Sequence, residues 1–128
     1  PRMQAGIDSG KVKATIHMDY LDYSALENQL KDIDAVFWAI GISSLGVDEQ
    51  TYGRIHVDFP QAFLQTWIKT SNRPSPSFHF ISSSDISEDS NTMWIREKIR
   101  AEKTLFALAA DSRFEDVAKA EVFETSRF

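Results

Sequence analysis

The stretch Ser77-Phe78-His79-Phe80-Ile81-Ser82-Ser83-Ser84 decides the fold when it is read with the helix signal that follows it. Ser77 to Ile81 has the short apolar and aromatic make-up of a strand, and the serine run from Ser82 ends it. A helix is expected from about Asn91 to Ala110, carrying Trp94, Lys98 and Glu102 near its start. A strand that ends in hydroxyl residues and passes into a helix returning across the sheet leaves those hydroxyls at the strand's carboxyl end. Open α/β sheets bind their ligands there. One helical turn beyond Trp94, Lys98 shares its face, and from the residues alone it reads as a surface lysine paired with Glu102 at i+4.

Upstream, Ala35-Val36-Phe37-Trp38-Ala39-Ile40-Gly41 is a continuous apolar run, which fits a strand covered on both faces in a parallel sheet. It closes at Gly41, whose missing Cβ permits either a sharp exit from the strand or a close approach of backbone to a ligand. Ile42 to Gln50 reads as a loop. A long helix is expected from about Thr51 to Lys69, because Tyr52, Ile55, Phe59, Phe63 and Trp67 recur at helical spacing. Pro60 falls inside it, removes the donor to the His56 carbonyl and crowds that turn, so a bend is expected. His56 reads as a partly exposed helix histidine.

Nearer the start, Pro1 to Gly10 reads as a loop, and Lys11 to Met18 alternates, with Val12, Ala14, Ile16 and Met18 on one face of an expected strand. Asp22 is placed to cap a helix from Tyr23 to Lys31 whose buried stripe is Leu26 and Leu30. Asn72-Arg73-Pro74-Ser75-Pro76 is a compact loop, and Asp85 to Asn91 a polar, acidic one. Ala120 to Thr125 is expected to be a last strand.

At 128 residues the chain suits one domain, and a hydrophobic fraction of 42% against 26% charged residues fits an ordered globular fold. The net charge of −5 carries no footprint for nucleic acid or an anionic membrane surface. The longest apolar runs, Ala35 to Ile40 and Leu105 to Ala110, are too short to cross a bilayer. With no cysteine there is neither a disulfide framework nor a thiolate metal site, which fits a reducing, cytoplasmic setting. His17, His56 and His79 lack metal-ligand spacing, and the serine run lacks a Gly-x-Ser-x-Gly elbow.

The run from Phe78 to Ser84, followed by an aromatic residue at Trp94 and then by Lys98 and Glu102, resembles the extended and atypical short-chain dehydrogenase/reductases. The resemblance implies an α/β, Rossmann-like three-layer parallel sheet that binds NADP or NAD. It implies catalytic roles for Ser83 or Ser84 as the hydroxyl and for Lys98 as the lysine, with Trp94 where that family has its tyrosine. That exchange matters chemically, because a phenol both donates and accepts a proton whereas an indole N–H only donates. By the same resemblance Asp19 and Tyr20 would contact the adenine, unless Asp19 is simply a turn residue. Ala39, Ile40 and Gly41 would form the small-residue turn against ribose and phosphates, and Ile81 and Ser82 would line the cofactor. His56-Val57-Asp58 resembles an Asn-Val-Asp pattern, which puts His56 at the asparagine's place.

None of the five glycines forms a Gly-x-Gly-x-x-Gly. The resemblance therefore implies an incomplete domain, residues 1–128 being a single partial NAD(P)-binding unit whose glycine-rich first unit would precede Pro1. The implied function is an NAD(P)-dependent oxidoreductase or epimerase-like protein with a small-molecule substrate. The rival is a non-catalytic NAD(P)-binding sensor or interaction module that kept the fold and lost the acid/base group. A homodimer through the two long helices is implied as well, with no nucleic-acid or membrane partner and no metal.

Overall fold

Val36, Trp38, Phe78 and Phe80 alternate with residues of the opposite face, and that alternation fixes which side of the sheet is buried. The computed structural model describes residues 3–83, 92–110 and 119–125. Its sheet has strands β1 (Ala35–Trp38), β2 (Ser77–Ser83) and β3 (Lys119–Thr125), in that order and all parallel. Val36 lies opposite Phe78 and Trp38 opposite Phe80, so these side chains share a face. Trp38, Phe78 and Phe80 are buried, each contributing about 1.5–3 kcal/mol by leaving water.

Parallel neighbours require crossovers, and helices supply them. Between β1 and β2 run α3 (Glu49–Gly53), a π-helical turn (Arg54–Asp58) and α4 (Phe59–Thr70); between β2 and β3 runs α5 (Met93–Ala110). Phe63, Leu64 and Trp67 of α4 and Ala101, Leu105 and Ala109 of α5 meet Trp38, Phe78 and Phe80 in one core. The last strand is where the sequence places it, and the two long helices match the expected spans to within a turn. The expected bend at Pro60 takes a particular form. Its ring cannot accept the tight α geometry over His56, and the preceding turn widens to π bonding instead.

Several expectations are corrected. Among the described residues the apolar run from Ala35 is covered on one face only: Phe37 is 64% exposed, and its ring stacks on that of His79 at 4.6 Å between centroids. Lys11 to Met18 forms no strand, and Ile16 is 90% and Met18 84% exposed. Alternation prepares a segment for a sheet, but the ladder needs a neighbour, and β1's partner is β2. Within Pro1 to Gly10 a short helix, α1 (Gln4–Asp8), forms without buried residues. The expected helix from Tyr23 divides into a 3₁₀ turn (Ser24–Leu26) and α2 (Glu27–Leu30). Asp22 still serves its start, its carboxylate accepting the Ser24 N–H at 2.9 Å, and the Trp67 indole donates to the Leu30 carbonyl, fastening α2 to α4.

Among the described residues no helix is long and apolar enough to cross a membrane.

Candidate functional site

The carboxyl end of β1 gives way after Trp38 to an exposed exit, Ala39-Ile40-Gly41-Ile42. The widened turn before Pro60 carries His56 to this exit. Its Nε2 lies 3.0 Å from the Ile42 nitrogen and 3.1 Å from the Ile42 oxygen. A neutral imidazole satisfies one of these at a time, accepting the N–H or donating to the carbonyl according to its tautomer. The ring passes so close to Gly41 that a Cβ there would stand 2.7 Å from His56 Cε1. Glycine at this position therefore makes room for His56 in the first place.

His56 is 3% exposed, which corrects its reading as a partly exposed helix histidine. Burial and, after it, the Lys98 charge lower its pKa from 6.5 to about 4, against the Ile42 carbonyl, which raises it. At neutral pH the ring is uncharged. Tyr52, one turn earlier, stacks on it at 3.9 Å between centroids. Burial, and then Glu97, raise the Tyr52 phenol's pKa, so it stays protonated. The sequence pattern placed Tyr52 on the helix's apolar stripe and gave it no role at the site, although the i,i+4 spacing of Tyr52 and His56 was a signal that they share a helix face.

Lys98 arrives from α5. It is half-buried, with Nζ 5.5 Å from the centre of the Phe80 ring. Burial lowers its pKa and Glu102 partly restores it. A surface lysine extended into water would feel no such burial, so the helix has brought this ammonium inward, over Phe80 of β2. Trp94 precedes it by one turn and is half-buried. Ile81, on β2, is half-buried and pairs with Phe123. Ser82 and Ser83 continue the backbone of β2 opposite Glu124 and Thr125, and Ser84 lies outside the described residues.

The position of α5 depends on a second glycine. A Cβ on Gly53 would overlap the Glu97 carboxylate and stand 2.6 Å from Arg100 Nη2. Glu97 is 5% exposed and accepts two bonds from Arg100, at 2.7 and 2.8 Å, which lower its pKa. The gap at Gly53 admits this pair between α3 and α5 and sets Lys98 one residue beyond it.

The fold thus gathers Gly41, His56 and Lys98, with Tyr52 behind the histidine. Asp19 and Tyr20 lie on an exposed turn. The Asp19 carboxylate accepts the Leu21 N–H at 3.0 Å, and Tyr20 packs on Phe59 at 5.3 Å between ring centroids. Asp19 is therefore a turn former in this structure. No cluster of metal-ligating side chains occurs among the described residues.

No family model and no curated protein matches the chain. Among solved structures it is similar to UDP-glucuronic acid 4-epimerase from Bacillus cereus in complex with NAD, with a TM-score of 0.70 and 17% sequence identity. The match covers 95% of this chain and 41% of that one, so the chain spans less than half of the enzyme's length. At this identity the likeness is one of fold, and the chain has a Rossmann-like α/β architecture with a parallel sheet.

Proposed function

We propose that the chain is part of an NAD(P)-binding domain of the short-chain dehydrogenase/reductase type, acting as an oxidoreductase or in epimerase-like chemistry. The observation that carries this reading is the meeting of Gly41, His56 and Lys98 at the carboxyl ends of adjacent parallel strands. The fold likeness to an enzyme crystallised with NAD supports it.

The residues suit the nicotinamide-ribose half of a dinucleotide. Gly41 offers exposed backbone, and Lys98 offers a drawn-in ammonium that can donate to ribose hydroxyls. No glycine-rich loop for the pyrophosphate is found in this sequence. When bound, the dinucleotide supplies hydride transfer at a carbonyl or alcohol. Lys98 would orient the ribose, and Ser83 or Ser84 would polarise the substrate oxygen. Trp94 donates only, and His56 is neutral and tied to Ile42, so water would be the proton source. The same family reading implies a homodimer through α4 and α5, on which Phe106 is exposed.

Trp94 also favours a second reading, a sensor that binds NAD(P) without turnover. Titrating NADH and NADPH into the protein in its longest native form, followed by cofactor fluorescence, tests both. Saturable binding weakened about tenfold or more by Lys98→Ala supports the site, and absence of binding contradicts it. If binding occurs without turnover and Trp94→Tyr creates turnover, the protein is a sensor built on the enzyme's frame.

A further inference from the structure

His56 is buried to 3% exposure, yet it contacts backbone on another element through a single nitrogen. Its other nitrogen, Nδ1, is buried with no partner among the described residues. A histidine placed only to fill the core would be better replaced by an apolar ring, because an unpaired buried polar atom costs about 1–3 kcal/mol. The surroundings converge on holding it. Tyr52 stacks on one side, Gly41 leaves out the Cβ that would meet Cε1, and the π turn before Pro60 sets the helix phase that aims Nε2 at Ile42. The groups facing the ring are the Tyr52 phenol from α3 and the Lys98 ammonium from α5, with Glu97 beyond Tyr52.

We propose that His56 is a positioning residue, whose imidazole tethers the Gly41–Ile42 turn to the π turn and so holds the backbone surface that the strand-end site presents to its ligand. The tether works in either tautomer, since each leaves one bond to Ile42. Gly41 and His56 form one unit in it: the glycine is required because the ring is there. For its ligand this inference rests on the dinucleotide reading. The tether itself does not.

The test combines NADH titration with amide hydrogen–deuterium exchange over residues 41–47. His56→Leu removes the polar contact while keeping bulk. His56→Gln supplies an amide that reaches about as far as Nε2 and can donate or accept. The tether predicts that His56→Leu weakens NADH binding about tenfold and speeds exchange in residues 41–47, and that His56→Gln restores both to within about threefold of native. Gly41→Ala should weaken binding about tenfold in the native background and less than threefold in His56→Ala, where the ring is gone. Equal losses from Gly41→Ala in both backgrounds, or His56→Leu with native affinity and native exchange, would overturn the proposal. Should the native protein bind no dinucleotide, the functional reading fails, and exchange alone decides: faster exchange in the leucine variant sustains the tether, and unchanged exchange removes it.

Discussion

Lys98 and His56 reach the same place from different helices, and the charge of one bears on the protonation of the other. The folded His56 pKa of about 4 lies below its ordinary 6.5, so between these values the unfolded chain takes up a proton that the folded chain refuses. Stability from this source is complete above pH 6.5 and is lost as pH falls towards 4, by up to about 1.4 kcal/mol per pH unit. Urea unfolding midpoints across this range should therefore fall more steeply for the native protein than for His56→Gln; parallel profiles would contradict the burial of a neutral imidazole. The sequence pattern placed Lys98 on a helix face and Gly41 at a strand exit, and the family resemblance alone gave them a role at a site. The burial of His56 and its stacking on Tyr52 were not, because both depend on the phase of a helix that changes its winding midway.

At the scale of elements, Pro60 is the residue that changes that winding. Its sequence signal is a lost donor and a steric clash, and a bend and a π turn are two answers to the same conflict. Pro60→Ala returns an N–H that can bond the His56 carbonyl, which should let the helix relax towards α geometry and turn His56 away from Ile42. The expected outcome is NADH affinity reduced severalfold with a thermal midpoint no lower than native; native affinity would show that the π turn holds without proline. The strands illustrate a different limit. β1 and β2 were legible because their apolar residues meet helices and each other, whereas Lys11 to Met18 has the alternation of a strand and no described strand beside it. Local pattern states what a segment is suited to; the neighbour that completes its hydrogen bonds is a property of the whole sheet.

At the scale of the molecule, the described helices α4 and α5 cover one face of the sheet, and Phe37 on the other face is largely exposed. The strand order and the crossover helices place Gly41, His56 and Lys98 at one end of the sheet, which is where a Rossmann-like fold binds its ligand. Another concavity, a cleft of about 390 Å³ lined by Lys13, Thr15, Asn28, Gln29, Asp32 and Ile33, lies along the segment that joined no strand. The central claim is that the ligand end of this molecule is the carboxyl end of β1 and β2. The most direct measurement is NADH titrated into the ¹⁵N-labelled protein in its longest native form, followed by amide chemical shifts. The account predicts saturable shifts at Gly41, Ile42 and Lys98; saturable shifts confined to the cleft, or no saturable shifts at all, would contradict it.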